Sequence, residues 1–214
     1  MMKLIGMLDS PYVRRTAISL QYMGISFEHE PLSVFNNFEQ FQAINPVVKA
    51  PTLVFDSGEI LMDSTIILHY AESAVPASRR LMPASGEEFR LALQIIGFAL
   101  AAAEKAVQCV YERNLRPVEK QHQPWVERLS LQLKAACNGL EAKLVASEFE
   151  LTPAVLNQPF ITSAVVWQFI QNMLPDIIPP SEFPRLQALS DHAEALPEFL
   201  AFPPVGPGVV APNP

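Results

Sequence analysis

Apolar and polar residues alternate in short runs over the first 80 residues, and the period changes several times within that stretch. A hydroxyl followed by proline at Ser10 and Pro11 indicates the start of a helix, and Gly24 suits the position just beyond its end. The turn residues at 56–58 between two apolar runs indicate a hairpin. The pattern predicts a strand at 3–7, a helix from 11, a strand at 26–32, a short helix or turn at 38–44, strands at 52–55 and 60–62, and a helix at 65–73 capped by Ser64. The predicted order is β-α-β-α-β-β-α.

Beyond residue 86 the apolar spacing becomes helical throughout. Helices are predicted at 87–115, 125–146, 160–174 and 183–199. Prolines and charged residues cluster at 75–83, which indicates a boundary between two domains. The predicted division is an α/β domain at 1–80, an all-α domain at 86–202, and a Pro- and Gly-rich tail at 203–214 that is extended or frayed.

Composition narrows the classes of protein that fit this pattern. Half of the residues are hydrophobic and 17% are charged, which favours a folded core over disorder. The net charge of −7 argues against a nucleic-acid partner, because phosphates would be repelled. The apolar run at 95–103 is shorter than the roughly 20 residues that cross a membrane, and no signal-peptide pattern is present, so we expect a cytoplasmic protein without a membrane partner. Two cysteines and four scattered histidines predict neither a disulfide framework nor a metal site.

Three motifs in the first domain carry candidate chemistry. Ser10 lies at a predicted helix N-terminus, where an anion such as a thiolate is stabilised, although a plain helix cap fits equally well. Pro51 follows a loop and precedes a strand, and a cis bond there would turn the backbone of Ala50 outward. Asp63 and Ser64 open a helix and suit the ammonium and carboxylate of an amino acid, with simple capping as the alternative.

The order and spacing of these motifs resemble the cytosolic glutathione S-transferases over nearly the whole chain. The resemblance rests on Ser10-Pro11-Tyr12-Val13-Arg14, on Asn45-Pro46 before Lys49-Ala50-Pro51-Thr52-Leu53, and on Asp63-Ser64. The chain is most similar to bacterial serine-type members, and its first motif is also similar to plant tau-type enzymes. The resemblance implies a thioredoxin-like N-terminal domain, an all-helical C-terminal domain and a homodimer.

The resemblance also implies an activity, the conjugation of glutathione as co-substrate to small electrophiles without a metal. Ser10 would stabilise the thiolate, and Ala50, before a cis-Pro51, would bind the cysteinyl part through its backbone. Asp63 and Ser64 would bind the γ-glutamyl end, and Lys49 the glycyl carboxylate. The second-substrate pocket would include Tyr12, Gln108, Tyr111 and Glu112. The alternative is a binding or regulatory protein of the same fold with little or no catalysis.

The chain departs from the family pattern at two positions. Val48 occupies a position that is commonly glycine, and Val165 stands where an acidic residue would close a capping box with Thr162. Of the arginines after Ser10, one is expected to face solvent and the other an interface. Cys109 is expected to be a small buried hydrophobe rather than a nucleophile.

Overall fold

The computed structural model describes residues 1–147, 150 and 156–208. The described chain divides into two compact units. The first contains residues 1–81 together with 197–208, and the second contains the described residues between 82 and 196. Residues 197–202, which the sequence assigns to the helical domain, therefore lie with the α/β unit. Residues 209–214 of the predicted tail lie outside the described residues.

The first unit has the predicted β-α-β-α-β-β-α order. Its elements are β1 (Met2–Ile5), α1 (Pro11–Tyr22), β2 (Phe27–Glu30), α2 (Phe38–Ile44), β3 (Thr52–Val54), β4 (Ile60–Met62) and α3 (Ser64–Ala74). The four strands form one sheet in the order β2-β1-β3-β4, in which β1 pairs with β2 in parallel and the other pairs are antiparallel. This mixed sheet with its helices is the expected thioredoxin-like fold.

The sheet register brings three strand ends to one edge. Ile5 at the end of β1 pairs with Thr52 at the start of β3, and Thr52 pairs with Met62 at the end of β4. The segments that follow β1, precede β3 and follow β4 therefore all leave the sheet at the same edge. The centre of the sheet is fixed by burial, since Leu4 and Leu53 are fully buried.

The ends of α1 follow the predicted signals, whereas the start of α3 does not. Gly24 has φ +77, and its N–H donates to the carbonyl of Gln21 over 2.9 Å, which ends α1 as expected. The cap of α3 is Asp63 rather than Ser64, because the Asp63 carboxylate accepts the N–H of Thr65 over 2.9 Å. Ser64 becomes the first helical residue.

Four long helices lie in the described residues of the second unit. They are α4 (Gly86–Leu115), α5 (Gln123–Ala146), α6 (Gln158–Met173) and α7 (Pro184–Glu194). By length and composition α4 would suit a membrane span, but this is weak support, because its buried residues pack against α5 and α6 as in the core helix of a globular protein.

Two helix predictions in the C-terminal half are wrong in detail. The predicted helix at 183–199 ends at Glu194, and a separate short helix, α8 (Pro197–Leu200), begins at a proline, which lacks the N–H needed to continue a helix. The start of α6 lies earlier than predicted, because Asn157 caps it by accepting the Phe160 N–H over 2.9 Å. The capping box sought at Thr162 and Val165 is therefore misplaced, since both residues lie inside the helix.

Candidate functional site

Three loops of the first unit meet at the sheet edge described above. The segment after β1 leads to Ser10, the segment before β3 contains Ala50 and Pro51, and the segment after β4 is Asp63. The Ala50–Pro51 peptide bond is cis, as the sequence suggested. The sheet thus gathers the three predicted motifs of the glutathione site within one compact unit.

Gly6 lies where two of these loops contact each other, and its role was not predicted from the sequence. It has φ +139, and a Cβ at this position would lie 2.6 Å from a methyl of Val13 and 3.1 Å from the Cβ of Ala50. Glycine is therefore required for the end of β1 to contact both the first turn of α1 and the loop before β3. A glycine directly after an apolar strand was the available signal.

Ser10 caps α1 through its oxygen atom. Its backbone is extended, and its hydroxyl oxygen accepts the N–H of Val13 over 3.4 Å. A serine hydroxyl has two acceptor lone pairs and one proton to donate. Because the cap uses only a lone pair, capping and donation to a thiolate are compatible roles. The two alternatives left by the sequence do not exclude each other.

A buried hydrogen-bond network shapes the loop before β3. Asn45 is fully buried and donates through Nδ2 to the Thr52 hydroxyl over 2.8 Å, and that hydroxyl donates to the carbonyl of Lys49 over 2.7 Å. Val48 has φ +53, a left-handed conformation that a β-branched residue adopts only with strain. Its side chain packs against the apolar cluster that includes Phe41. Apolar packing of the side chain therefore stabilises a valine at a position that is commonly glycine in the family.

Lys49 and Asp63 form an ion pair across the site. The Lys49 ammonium lies 3.1 Å from the Asp63 carboxylate, and both side chains are about half exposed. Burial opposes ionisation of Asp63, but hydrogen bonds from Lys49 and the Thr65 amide, with the charge of Lys49, outweigh it and lower the pKa of the carboxyl. Asp63 is therefore ionised at neutral pH. Its φ of +74 is a second left-handed conformation at the site.

Arg15 is a buried cation beneath the start of α3, contrary to the expectation for the two arginines. It donates to the hydroxyls of Ser64 over 3.1 Å and Thr65 over 3.3 Å. Among the described residues, its Nε has no hydrogen-bond partner. Burial lowers the pKa of Arg15 to about 10, against the opposing charge of Asp63, so it remains a cation at neutral pH. This role is not visible in the sequence, because two adjacent arginines resemble a solvated helix face.

Arg14 is also buried, with 1% of its surface exposed. Its Nε donates to the carbonyl of Phe202 over 2.7 Å, far along the chain but within the same unit. Neither arginine therefore faces solvent, and the expectation of one solvent-facing residue was wrong.

The four residues predicted for a second-substrate pocket lie in different units. Tyr12 belongs to the first unit, and Gln108, Tyr111 and Glu112 lie on α4 of the second. Glu112 is buried, accepts the His122 N–H over 2.9 Å and pairs with Arg116 at 3.0 Å. These contacts tie α4 to the start of α5, so Glu112 has a structural role in its own unit. The other three remain predicted pocket residues.

Cys109 on α4 is fully buried. Burial raises the pKa of its thiol, against smaller opposing effects of Ser130 and Arg113. The thiol is therefore protonated at neutral pH, which fits a packing role rather than a nucleophile.

Comparison with known sequences gives the family. Residues 4–79 match the family model described as glutathione S-transferase, N-terminal domain. The chain is 32% identical over 149 residues to the uncharacterized GST-like protein YibF of Escherichia coli strain K12, covering 67% of this chain and 70% of that protein. It is 29% identical over 118 residues to glutathione S-transferase U4 of Arabidopsis thaliana, covering 50% of this chain and 52% of the relative.

Solved structures agree with the sequence comparison. A glutathione transferase family member from Pseudomonas fluorescens Pf-5 with bound glutathione is 25% identical, with a TM-score of 0.83 over 96% of this chain and all of that chain. A glutathione S-transferase from Methylobacterium radiotolerans in complex with glutathione sulfonate has the same fold, with a TM-score of 0.88 at 22% identity over 99% of each chain. The chain therefore belongs to the glutathione S-transferase family.

Proposed function

We propose that this protein is a glutathione transferase that conjugates the glutathione thiolate to small electrophiles, with Ser10 stabilising the thiolate. The observation that carries the proposal is the convergence of three loops, with Ser10, Ala50 and Asp63, at one edge of the sheet. Relatives crystallised with glutathione or its derivatives support glutathione as the co-substrate. No step of the proposed reaction uses a metal.

The two ends of glutathione would bind opposite charges at this edge. The ammonium of the γ-glutamyl residue pairs with Asp63. The carboxylate of the same γ-glutamyl residue binds at Ser64, next to the buried charge of Arg15. The glycyl carboxylate pairs with Lys49, and the cysteinyl backbone pairs with Ala50. Lys49 and Asp63 pair with each other in the free protein. Binding of glutathione would break this exposed ion pair and form two new ones, between Lys49 and the glycyl carboxylate and between Asp63 and the γ-glutamyl ammonium.

The chemical step needs an ionised thiol. A free cysteine-like thiol has a pKa of about 8.5, so a decrease of about two units makes the thiolate dominant at pH 7 and requires about 3 kcal/mol. A charge-assisted hydrogen bond from Ser10 and the N-terminus of α1 are together of that size. The thiol proton passes to solvent, the sulfur forms a bond to the electrophilic carbon, and a leaving group such as halide departs with its electron pair.

Calorimetry with glutathione and turnover of an aromatic halide test this function together. Binding with turnover supports a transferase. Binding with no turnover of several electrophile classes favours the alternative, a glutathione-binding protein without useful catalysis. Absence of binding contradicts both.

We further propose a homodimer, as the family resemblance implies, and a cytoplasmic location, as expected from the sequence. The chain has a mass of 23.7 kDa. Light scattering at micromolar concentration should return about twice that mass for a two-fold dimer. The monomer mass would contradict the dimer without affecting the assignment of the glutathione site.

A further inference from the structure

Residues 197–208 return to the first unit and end beside the turn that precedes Ser10. We call these residues the C-terminal clasp. The backbone N–H of Gly208 donates to the Asp9 carboxylate over 2.9 Å. A Cβ at Gly206 would lie 2.1 Å from the same carboxylate oxygen, so a side chain there would displace the carboxylate. The clasp thus contacts Asp9 twice, once by a hydrogen bond and once by close backbone approach.

The clasp is fixed to the α/β unit before it reaches Asp9. Arg14 donates through Nε to the carbonyl of Phe202 over 2.7 Å, and its guanidinium lies 5.6 Å from the centroid of the Phe199 ring. The Phe202 ring stacks on Phe27 with centroids 6.0 Å apart. Because Arg14 is buried, solvent water does not compete for these contacts. The start of the clasp is therefore anchored to the α/β unit, and its end contacts Asp9.

Asp9 lies in the turn that sets the direction of Ser10. The N–H of Ser10 donates to the carbonyl of Met7 over 3.2 Å, which closes a turn with Asp9 as its third residue. A rotation of this turn moves the Ser10 hydroxyl relative to anything bound at the N-terminus of α1. Small displacements of a group that contacts the reacting atom lower the rate strongly.

We propose that Asp9 is a positioning residue, through which the C-terminal clasp holds the turn before Ser10 and sets how well the hydroxyl stabilises the thiolate. This inference rests on the proposed function. The mechanism is one of hydrogen bonding and contact rather than of charge. An uncharged side chain with the same acceptor oxygen should therefore replace the carboxylate.

Three variants of the full-length protein distinguish a positioning role of Asp9 from an effect of its negative charge. Asp9→Ala removes the acceptor, Asp9→Asn keeps an acceptor oxygen without the charge, and Gly206→Ala forces the carboxylate out of place. Gly97→Ala is the matched control, because a Cβ at Gly97 meets nothing within 4 Å. Each variant is measured for kcat and for the KM of glutathione with an aromatic halide, for absorbance of the bound thiolate at fixed pH, and for thermal unfolding.

We expect Asp9→Ala and Gly206→Ala to lower kcat by about three- to tenfold and to lower thiolate absorbance, with the KM of glutathione changed by less than about twofold. Asp9→Asn should keep at least about half of the wild-type kcat. Gly97→Ala should match the wild-type kcat and thiolate absorbance, although alanine inside a helix can raise its thermal stability. In a Ser10→Ala background, Asp9→Ala should cause no further loss, because the hydroxyl that it positions is gone. If Asp9→Ala unfolds at the assay temperature, Gly206→Ala decides the question, since it leaves the carboxylate in the chain.

Wild-type kcat and thiolate absorbance in both variants would overturn the inference, and so would losses that add fully to that of Ser10→Ala. An Asp9→Asn variant as impaired as Asp9→Ala would replace positioning by a charge effect and overturn it as well. These outcomes differ from failure of the proposed function, which appears as wild-type protein that neither binds nor turns over glutathione.

Discussion

The Asp63 carboxylate interacts with several groups of the candidate site. Two different substitutions of Asp63 can therefore separate its contribution to folding stability from its contribution to glutathione binding. Its carboxylate caps α3 at Thr65, pairs with Lys49 at 3.1 Å, and faces the buried charge of Arg15. Asp63→Asn keeps an oxygen that accepts the cap hydrogen bond but removes the negative charge. Asp63→Ala removes both. The difference between the two variants isolates the cap, and the effect of Asp63→Asn isolates the charge.

The contacts give the expected sizes of these effects. Loss of a helix cap costs about 1 kcal/mol, so Asp63→Ala should be less stable than Asp63→Asn by about that amount. The exposed pair with Lys49 contributes about 0.2–1 kcal/mol to stability, and loss of the charge that faces the buried Arg15 adds to the stability cost of Asp63→Asn. A charge-assisted bond to the γ-glutamyl ammonium is stronger, at about 1.5–3 kcal/mol, so both variants should bind glutathione about tenfold or more weakly.

Calorimetry with glutathione and urea unfolding measure the two effects on the same samples. Asp56→Asn is the matched control, because it makes the same substitution at an exposed carboxylate in the β3–β4 hairpin. It should leave glutathione affinity unchanged. A wild-type affinity for glutathione in Asp63→Asn would refute the assignment of Asp63 to the γ-glutamyl ammonium.

The pKa of Asp63 adds a dependence on pH to this comparison. The folded chain lowers the pKa of this carboxyl from its ordinary value of 3.8. The stability that its charge contributes is therefore present above the ordinary pKa and is lost as the pH falls through the lower folded value. The stability difference between wild type and Asp63→Asn should persist from neutral pH to about pH 4 and shrink only below it. A difference that disappears between pH 7 and pH 5 would contradict this sign.

Substitutions at two further positions test the strained and buried groups of the site. Arg15→Met should lower glutathione affinity by about tenfold in calorimetry. The Tm should stay unchanged or rise, because an apolar side chain avoids the desolvation of a buried guanidinium. A fall in Tm with unchanged glutathione affinity would show that Arg15 has a purely structural role. At Val48, the glycine variant should be more stable than the alanine variant by about 1 kcal/mol in urea unfolding, although it loses more side chain, because glycine adopts the left-handed conformation without strain. Equal or reversed stabilities would show that the backbone at Val48 is not strained.

Local sequence signals predicted the α/β unit well. The Ser10-Pro11 start and the Gly24 end of α1 depend on groups within one turn of the helix, so the sequence contains all the needed information. The β3–β4 hairpin is local for the same reason. The thioredoxin-like fold was implied by the resemblance, and the order of strands in the sheet was not predicted, because pairing between distant segments leaves no periodicity of its own.

Features that depend on distant segments were missed. Arg14 and Arg15 look alike in sequence, yet one binds the carbonyl of Phe202 and the other the hydroxyls at the start of α3. The return of residues 197–208 to the first unit was hidden because the pattern continued a helix through Pro197. At the start of α3, the choice between Asp63 and Ser64 as the cap was decided by a left-handed backbone that the sequence does not reveal.

The thiol pKa of bound glutathione tests the central claim most directly, measured by ultraviolet titration of the complex in wild type and in Ser10→Ala. We expect a wild-type value about two units below the roughly 8.5 of a free thiol, and an increase of about one to two units in Ser10→Ala. Because the cap hydrogen bond to Val13 is long, at 3.4 Å, thermal unfolding of Ser10→Ala should change little. Equal thiol pKa values in the two proteins, with glutathione bound in both, would remove Ser10 from the chemistry and contradict the account.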